Sequence, residues 1–154
     1  MRALIQRVSQ AKVTVDGKIT GQIGAGLLVL LGVKEGDTQE DADYLSRRLP
    51  AFRIFNDAEG KMNLSVEDIS GEILVVSQFT LHADTRKGNR PSYVHAADPA
   101  IAEELYERVV ANLRTALGPA RVATGRFGAM MEVALTNDGP VTVMLQSKSE
   151  LTES

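Results

Sequence analysis

The sequence predicts an α/β fold: a single compact domain of β/β/α layers, in which mixed sheets carry two main helices on one face. Three observations lead to this prediction. The chain has 154 residues, a length that fits one domain of ordinary size. Alternating and continuous apolar segments indicate that strands dominate. Only two stretches have helical spacing, and such helices commonly cover one face of a sheet.

The first part of the chain is predicted to be strand. Apolar residues alternate with polar ones from Ala11 to Val15, and the opposite parity of Leu4 and Val8 indicates a bulge near Ser9-Gln10. Asp16-Gly17 then predicts a tight hairpin, because a type I′ turn needs positive φ at both central residues. The glycines that follow are expected to break the return strand.

Two continuous apolar runs, Leu27 to Leu31 and Ile73 to Ser77, predict strands that are covered on both faces. Three more strand candidates lie near the end of the chain, at 121–123, 131–136 and 141–145. Between the last two, Asn137-Asp138-Gly139-Pro140 is most simply interpreted as a turn, because proline cannot donate within a strand ladder. Ser147 to Ser154 lose apolar periodicity and are predicted to be a frayed polar tail, which leaves a domain of residues 1–146.

Two helices are predicted from their capping residues. Thr38 and Asp41 have the spacing of a capping box that opens the first helix. The second helix has Asp98 as its N-cap and Pro99 at its first position, and Gly118-Pro119 ends it. Its apolar stripe consists of Ile101, Leu105, Val109, Leu113 and Leu117.

Composition limits the chemistry that the chain can perform. It has 17 Lys+Arg against 20 Asp+Glu, a formal net charge of −3, and no cysteine. The absence of cysteine excludes disulfides, thiolate metal sites and a cysteine nucleophile. The mild acidity argues against indiscriminate nucleic-acid binding, which is typical of basic domains. The only histidines, His82 and His95, lack the spacing of metal ligands, so no metal site is predicted.

No targeting or membrane segment is visible in the sequence. Met1 to Leu4 do not begin a signal peptide, because no apolar core follows them. The longest apolar run, Leu27 to Leu31, is far shorter than the roughly 20 residues that cross a bilayer. We therefore expect a cytoplasmic protein without a membrane partner.

The richest polar stretch runs from Ser77 to Arg90, directly after a predicted buried strand. A Thr80/His82/Asp84 triad is rejected there. Side chains two residues apart on a strand stand roughly 6–7 Å apart, whereas a triad needs contacts of about 2.6–3.2 Å. Thr80 alone is more simply a hydroxyl at a strand end that bonds to the backbone.

Three cations, Arg86, Lys87 and Arg90, close this polar stretch. They could bind phosphates as a local cationic loop within an acidic protein. They could equally lie on a solvated loop, and composition alone does not choose between the two.

Two short motifs are distinctive when they occur together. Ser77-Gln78-Phe79-Thr80-Leu81 matches S-Q-x-x-L, and Asn137-Asp138-Gly139-Pro140-Val141-Thr142 matches N-x-G-P-x-T. Further matching segments are Arg7-Val8 with Ala11-Lys12-Val13, Gly24 to Val33, and Phe55-Asn56 with Gly60 to Asn63. On these segments the chain resembles the bacterial-type D-aminoacyl-tRNA deacylases (D-tyrosyl-tRNA deacylases), roughly from Met1 to Gln146.

The resemblance implies a homodimer that hydrolyses the ester between a D-amino acid and the 3′-terminal adenosine of tRNA, and that rejects L-aminoacyl-tRNA. Such chiral proofreading belongs to translation quality control, and no metal or organic cofactor is implied. Achiral glycine is also expected to be accepted. The sequence leaves open whether D-aminoacyl-tRNA or glycyl-tRNA is the main substrate, and which tRNA is preferred.

The resemblance assigns Gly139 and Pro140 to a chirality filter that reaches into the partner subunit's site through a cis peptide bond. Their carbonyl oxygens would approach the α-carbon of the substrate. An L side chain would collide with them, whereas a D enantiomer presents only hydrogen there. Arg7 matches the arginine that anchors this filter in the family.

The catalytic segment implied by the resemblance is Ser77, Gln78, Phe79 and Thr80. Thr80 could be a nucleophile, but nothing nearby in sequence supplies its general base. The favoured hypothesis makes Thr80 and Gln78 positioning groups, while backbone amides around Phe79 and Thr80 stabilise the oxyanion. The adenosine 2′-hydroxyl then assists, and water is the final acceptor.

The resemblance also places Gly125 to Met130 along the pocket for the terminal adenosine. Phe127 could stack on the base, or it could pack in the core. Gly128, Ala129 and Met130 would complete the pocket.

Two other functions remain open from the sequence. A non-catalytic module could bind tRNA ends through Arg86, Lys87 and Arg90, and it would show tRNA affinity without ester hydrolysis. A structural dimerisation domain, suggested by the strand-rich apolar sequence, would show no tRNA affinity.

Overall fold

Eight strands and three α-helices form the described part of the chain, residues 1–152, in the computed structural model. The strands are Arg2–Val15 (β1), Lys18–Ile23 (β2), Gly26–Gly32 (β3), Phe55–Asn56 (β4), Met62–Leu64 (β5), Glu72–Ser77 (β6), Val122–Thr124 (β7) and Glu132–Gln146 (β8). The helices are Gln39–Ala51 (α1), Pro99–Leu117 (α2) and Lys148–Leu151 (α3). Two 3-10 turns lie at Phe79–His82 and Pro119–Arg121.

The main sheet has six strands in the order β2-β1-β3-β6-β7, and β8 also pairs with β1. β6 is parallel to β3 and to β7, and the other pairs of this sheet are antiparallel. β4 and β5 form a separate hairpin. The pairing of β1 with β8 shifts register on both sides of Val8, up to Gln10. The bulge predicted near Ser9-Gln10 is therefore confirmed.

The hairpin between β1 and β2 turns at Asp16-Gly17, as predicted. Both residues have positive φ, 50° and 76°, which is the conformation of a type I′ turn. The expectation that glycines break the return strand is wrong for Gly21, which lies within β2. A Cβ atom at Gly21 would lie 2.3 Å from the carbonyl oxygen of Thr124 on β7. The sheet therefore curls towards a barrel, so that β2 at one end of the strand order approaches β7 at the other.

Two cores separate three layers of the fold. Side chains alternate along β3 and β6, so Leu27 and Ile73 join the core beneath α1 and α2, whereas Leu28 and Leu74 join a second core on the opposite face of the sheet. Both strands are continuous apolar runs because both of their faces are buried. The predicted β/β/α layers, with two main helices on one face, are confirmed.

Both predicted helices are present. The Asp41 carboxylate accepts a hydrogen bond from the Thr38 backbone N–H at 2.9 Å, which is one half of the predicted capping box. α2 ends where Gly118 takes a φ of 94°. Two details differ from the prediction. The Asp98 side chain makes no capping hydrogen bond, and Ile101 is 49% exposed rather than part of the core.

The predicted turn between two strands near the end of the chain is wrong. β8 continues from Glu132 to Gln146 and contains the Asn137 to Pro140 segment as an irregularity of one strand. Proline is tolerated there because the ladder partner on β1 changes register at the same place, between Gln6 and Gln10. The whole N-x-G-P-x-T motif, residues 137–142, therefore lies on β8.

The predicted frayed tail is also wrong for residues 147–152, whereas 153–154 lie outside the described residues. α3 packs onto the domain, and the Glu150 carboxylate is buried. It pairs with the Arg2 guanidinium, and it lies 3.3 Å from the Met1 ammonium. Polar contacts rather than apolar periodicity hold this segment, which explains why its sequence pattern did not reveal it.

Candidate active site

A cleft of ≈ 520 Å³ lies beyond the carboxyl end of β6, where the first motif begins. Ser77, Gln78 and Phe79 line it together with the segment from Phe127 to Met131. The remaining lining residues are small or apolar: Val33, Val76, Ala96, Ala97, Pro99, Ala102 and Val133. Two segments about fifty residues apart in sequence, to which the resemblance assigns catalysis and adenosine binding, therefore share one cavity.

Thr80 is held by its neighbour in the motif. Ser77 ends β6, the Gln78 backbone N–H donates to the Leu31 carbonyl at 2.8 Å, and the chain then enters the 3-10 turn. There the Gln78 side-chain amide donates a hydrogen bond to the Thr80 hydroxyl oxygen. Thr80 itself does not line the cleft. Within residues 1–152, the Thr80 hydroxyl has no hydrogen bond to a histidine or a carboxylate that would act as a general base.

The rejected triad does not form. His82 is buried, and its Nε2 lies 2.9 Å from the Gly32 carbonyl oxygen, so this nitrogen carries the hydrogen. Burial lowers the pKa of His82 and so favours the neutral imidazole. Asp84 is occupied elsewhere, because its carboxylate accepts two hydrogen bonds from the Arg86 guanidinium. Those bonds hold the pKa of Asp84 well below its usual range.

The cationic loop, which we define as residues 84–92, is closed at its base by paired backbone bonds. The Asp84 N–H donates to the Ser92 carbonyl at 2.7 Å, and the Ser92 N–H donates back at 2.9 Å. All three cations are exposed. Arg86 is tied to Asp84 by a bidentate pair, so it is less free for phosphate than the sequence suggests. Lys87 and Arg90 have no ion pair with any residue of the described chain.

Phe127 occupies a position that serves both of its possible roles. It lines the cleft, and it is half-buried against the helical core. Its ring centroid lies 5.7 Å from that of Tyr106, whose hydroxyl donates to the Val75 carbonyl at 3.1 Å. Burial raises the pKa of Tyr106 to about 12, so its hydroxyl remains a donor. Met130, at the rim, is 93% exposed.

Gly139 and Pro140 are exposed on β8 and joined by a cis peptide bond. Neither residue lines the cleft of its own chain. Arg7 lies behind them and is buried. Its Nε donates to the Asp138 carbonyl at 2.7 Å, and its Nη1 donates to the Ile54 carbonyl at 2.8 Å. Arg7 thus joins the second motif to the β4 segment of the same chain.

The family described as "D-Tyr-tRNA(Tyr) deacylase" matches residues 4–146 of the chain, which include Arg7, the cleft segments and the Gly139-Pro140 segment. The chain belongs to the D-Tyr-tRNA(Tyr) deacylase family. The resemblance identified from the two motifs is therefore confirmed.

Curated relatives in this family cover nearly the whole chain. A D-aminoacyl-tRNA deacylase of Dehalococcoides mccartyi is 56% identical over 151 residues, 98% of this chain and 97% of that protein. A D-aminoacyl-tRNA deacylase of Flavobacterium psychrophilum is 55% identical over 150 residues, 97% of this chain and 99% of that protein.

Solved structures share the fold. One described as "c-Myc DNA Unwinding Element Binding Protein" superposes with a TM-score of 0.91 at 42% identity, over 96% of this chain and 99% of that one. A probable eukaryotic D-amino acid tRNA deacylase has a TM-score of 0.79 at 21% identity, over 94% and 97% of the two chains, and this shows the shared fold.

Sequence reasoning missed the roles of Asn137 and Thr142, the two residues that brace the N-x-G-P-x-T motif. The Asn137 side-chain amide accepts from the Val141 N–H at 2.7 Å and donates to the Val141 carbonyl at 3.0 Å. It also donates to the Thr142 hydroxyl at 3.2 Å, and the Gln6 amide reaches the same hydroxyl at 3.4 Å. The signal was present in the sequence, because Asn137 and Thr142 begin and end the N-x-G-P-x-T motif.

Within residues 1–152, no three histidine, aspartate or glutamate side chains come together in a way that could hold a metal ion. No helix of the described chain is long and apolar enough to span a membrane.

Proposed function

We propose that this chain hydrolyses the ester between a D-amino acid and the 3′-terminal adenosine of tRNA, and that it rejects the L enantiomer. The observation that carries the proposal is the cleft shared by Ser77 to Phe79 and Phe127 to Met130 in a chain of the deacylase family. One segment supplies polar groups for an ester, and the other supplies an aromatic ring and small residues for a base.

The terminal adenosine enters the apolar part of the cleft. Phe127 stacks on the base, held by its contact with Tyr106. Gly128, Ala129 and Met130 complete the edge, where two small residues and an exposed methionine leave room for a purine. Binding the nucleoside there brings its 3′ ester towards Gln78 and Phe79.

Backbone amides stabilise the developing negative charge. Phe79 and Thr80 begin a 3-10 turn, and the first N–H groups of a helical turn have no partner within it. We assign these two donors to the oxyanion of the tetrahedral intermediate, because such donors are commonly the largest single contribution to acyl transfer. Their placement depends on Ser77 and on the Gln78 backbone bond to Leu31.

Thr80 positions groups rather than attacking the ester. Its hydroxyl oxygen already accepts a hydrogen bond from Gln78, which lowers its nucleophilicity, and no base withdraws its proton. Water attacks the ester carbonyl, assisted by the adenosine 2′-hydroxyl. The acyl–oxygen bond to the ribose breaks, the ribose oxygen takes a proton, and a free D-amino acid leaves an intact tRNA end.

The chirality filter comes from a second copy of the chain. Gly139 and Pro140 are exposed and lie outside their own cleft, which supports a homodimer in which they reach the partner's cleft. Their carbonyl oxygens exclude an L side chain at the α-carbon by direct collision. Arg7 and Asn137 keep those oxygens fixed, because a mobile filter would move aside for the L substrate. Glycine has no side chain to exclude and is accepted.

The cationic loop contributes to tRNA binding through Lys87 and Arg90, with Arg86 oriented by Asp84. A few cations near one cleft suffice for an enzyme that binds a terminal nucleotide rather than a long duplex. We place the enzyme in the cytoplasm, where charged tRNA is used, and we assign it no metal or organic cofactor.

Hydrolysis of matched D-Tyr-tRNA and L-Tyr-tRNA tests the proposal. The time course of tyrosine release is expected to show rapid loss of the D ester and no loss of the L ester above the spontaneous rate. Equal rates on the two substrates, or none on either, would overturn the proposal. Binding of tRNA without hydrolysis would favour the non-catalytic tRNA-end-binding module instead.

A further inference from the structure

An exposed aromatic pair stands beside the cleft. The rings of Phe79 and Tyr93 meet edge to face, with centroids 5.2 Å apart and planes at 75°. Phe79 is 55% exposed and Tyr93 is 42% exposed, although aromatic side chains normally gain free energy from burial. The other three phenylalanines of the chain, Phe52, Phe55 and Phe127, are at least half-buried.

Tyr93 is held in place from both sides by backbone bonds. The residue before it, Ser92, is paired with Asp84 in both directions. After it, the Ala96 N–H donates to the Tyr93 carbonyl at 3.1 Å, and the His95 carbonyl accepts from the Glu35 N–H at 2.9 Å. The exposed ring is therefore part of a pre-organised surface and not the tip of a free loop.

The pair lies between two features that suit nucleic acid. On one side is the cleft, because Phe79 lines it. On the other side is the cationic loop, which leads directly into Tyr93 and carries exposed Lys87 and Arg90. The loop places three cations within five residues of a chain whose net charge is −3. Aromatic faces next to cations are the arrangement that binds unpaired nucleotides without reading their sequence.

We propose that Phe79 and Tyr93 form a stacking platform for the unpaired nucleotide that precedes the terminal adenosine of the substrate. Lys87 and Arg90 contact the phosphates of that strand. The inference rests on the proposed function, and it extends the substrate site from one nucleotide to the single strand before it. A stacked base needs no specific edge contacts, so the platform serves tRNAs charged with different amino acids.

The platform is tested with two substrates that share the ester and the terminal nucleoside. D-Tyr-tRNA carries the preceding strand, and D-tyrosyl-adenosine does not. For each variant the measured quantity is the KM for D-tyrosyl-adenosine divided by the KM for D-Tyr-tRNA. Tyr93→Ala is expected to lower this ratio by about fivefold or more, since one stacked base contributes at least that factor to binding. Tyr93→Phe retains the aromatic ring and is expected to leave the KM ratio unchanged.

Val94→Ala is the matched control, because Val94 is the next residue, is 68% exposed and belongs to no proposed site. Its ratio is expected to stay at the wild-type value. In addition, Lys87→Gln is expected to reduce the salt dependence of D-Tyr-tRNA binding by about 0.7 in the slope of log affinity against log salt.

An unchanged KM ratio in Tyr93→Ala would overturn the platform. If both KM values rise equally and the sedimentation coefficient also changes, a second copy of the chain covers the aromatic pair instead of a nucleotide. Failure of the wild-type protein to hydrolyse either substrate would instead overturn the proposed function itself.

Discussion

The side-chain amide of Asn137 forms hydrogen bonds with both backbone groups of Val141, accepting from its N–H at 2.7 Å and donating to its carbonyl at 3.0 Å. The two bonds close a short loop around Gly139-Pro140 in the manner of a pair of ladder bonds. Within the fold this is the point where β8 loses its regular pairing with β1. The amide therefore replaces the strand partner that the loop lacks.

Asn137→Asp is expected to weaken chiral discrimination. The carboxylate still accepts from the Val141 N–H, but it cannot donate to the Val141 carbonyl and is repelled by it. We expect the D-over-L preference to fall by about tenfold or more, with D-Tyr-tRNA hydrolysis changed much less. Asn63→Asp, an exposed change on β5, is the control. An unchanged preference in Asn137→Asp would remove this residue from the filter.

Arg7→Lys is expected to lower both stability and discrimination. The guanidinium reaches the Asp138 and Ile54 carbonyls at once, and a single ammonium cannot reproduce that fork. One buried carbonyl left without a donor costs about 1–3 kcal/mol of the free energy of unfolding. Urea unfolding measures this loss, and the hydrolysis of L-Tyr-tRNA measures the loosened filter. A stable variant that still rejects L-Tyr-tRNA would contradict the anchoring role.

Thr80→Ala separates the two hypotheses for catalysis. If Thr80 only positions groups, turnover of D-Tyr-tRNA falls by no more than about tenfold, because the backbone donors of Phe79 and Thr80 remain. If Thr80 is the nucleophile, its removal lowers turnover by several orders of magnitude. Single-turnover hydrolysis of D-Tyr-tRNA measures the difference. A fall beyond about a thousandfold would restore Thr80 as the nucleophile.

His82 is expected to make the protein less stable in mild acid. Burial lowers its pKa in the folded state below the ordinary value of 6.5, so the unfolded chain binds the proton more readily. The free energy of unfolding therefore decreases as pH falls below about 6.5 and levels off below the folded-state pKa. The paired carboxylates, such as Asp43, have lowered pKa values, so they change the free energy of unfolding only at a more acidic pH.

Urea unfolding between pH 5 and 8, a range around the ordinary histidine pKa, tests this prediction. His82→Gln serves as the comparison, since its amide can also donate to the Gly32 carbonyl. The variant should show a flatter profile than the wild type across this range. Identical profiles would mean that His82 does not titrate on unfolding.

Local sequence signals were sufficient where the chain obeys a simple pattern. The Asp16-Gly17 turn, the double-sided burial of β3 and β6, and the bounds of α2 all follow from turn chemistry, periodicity and capping. The motifs also indicated which segments carry the site. Their meeting in one cleft depends on the parallel pairing of β3, β6 and β7, which a single sequence does not specify.

Three features escaped prediction because they depend on tertiary contacts. β8 remains one strand across Gly139-Pro140 because β1 accommodates the irregularity by a register shift. α3 is held by the Glu150 carboxylate and not by an apolar stripe. Arg86 is neutralised by a neighbour two residues away, which spacing alone did not distinguish from a free phosphate ligand.

The central claim is that Gly139-Pro140 of one subunit screens the cleft of the other. Gly139→Ala should damage the filter, because its Cβ would lie 2.6 Å from the Val141 nitrogen. We expect the Gly139→Ala homodimer to hydrolyse both D- and L-Tyr-tRNA. Ala129→Trp should fill the cleft, and its homodimer should hydrolyse neither. A heterodimer of the two variants, purified through two different tags, has one open cleft, and that cleft faces an intact filter.

Hydrolysis of L-Tyr-tRNA by this heterodimer, measured per open cleft, is the most direct test. We expect it to fall to the spontaneous rate while hydrolysis of D-Tyr-tRNA continues. If the heterodimer hydrolyses L-Tyr-tRNA as fast per open cleft as the Gly139→Ala homodimer, the filter does not act across the subunits and the shared site is contradicted.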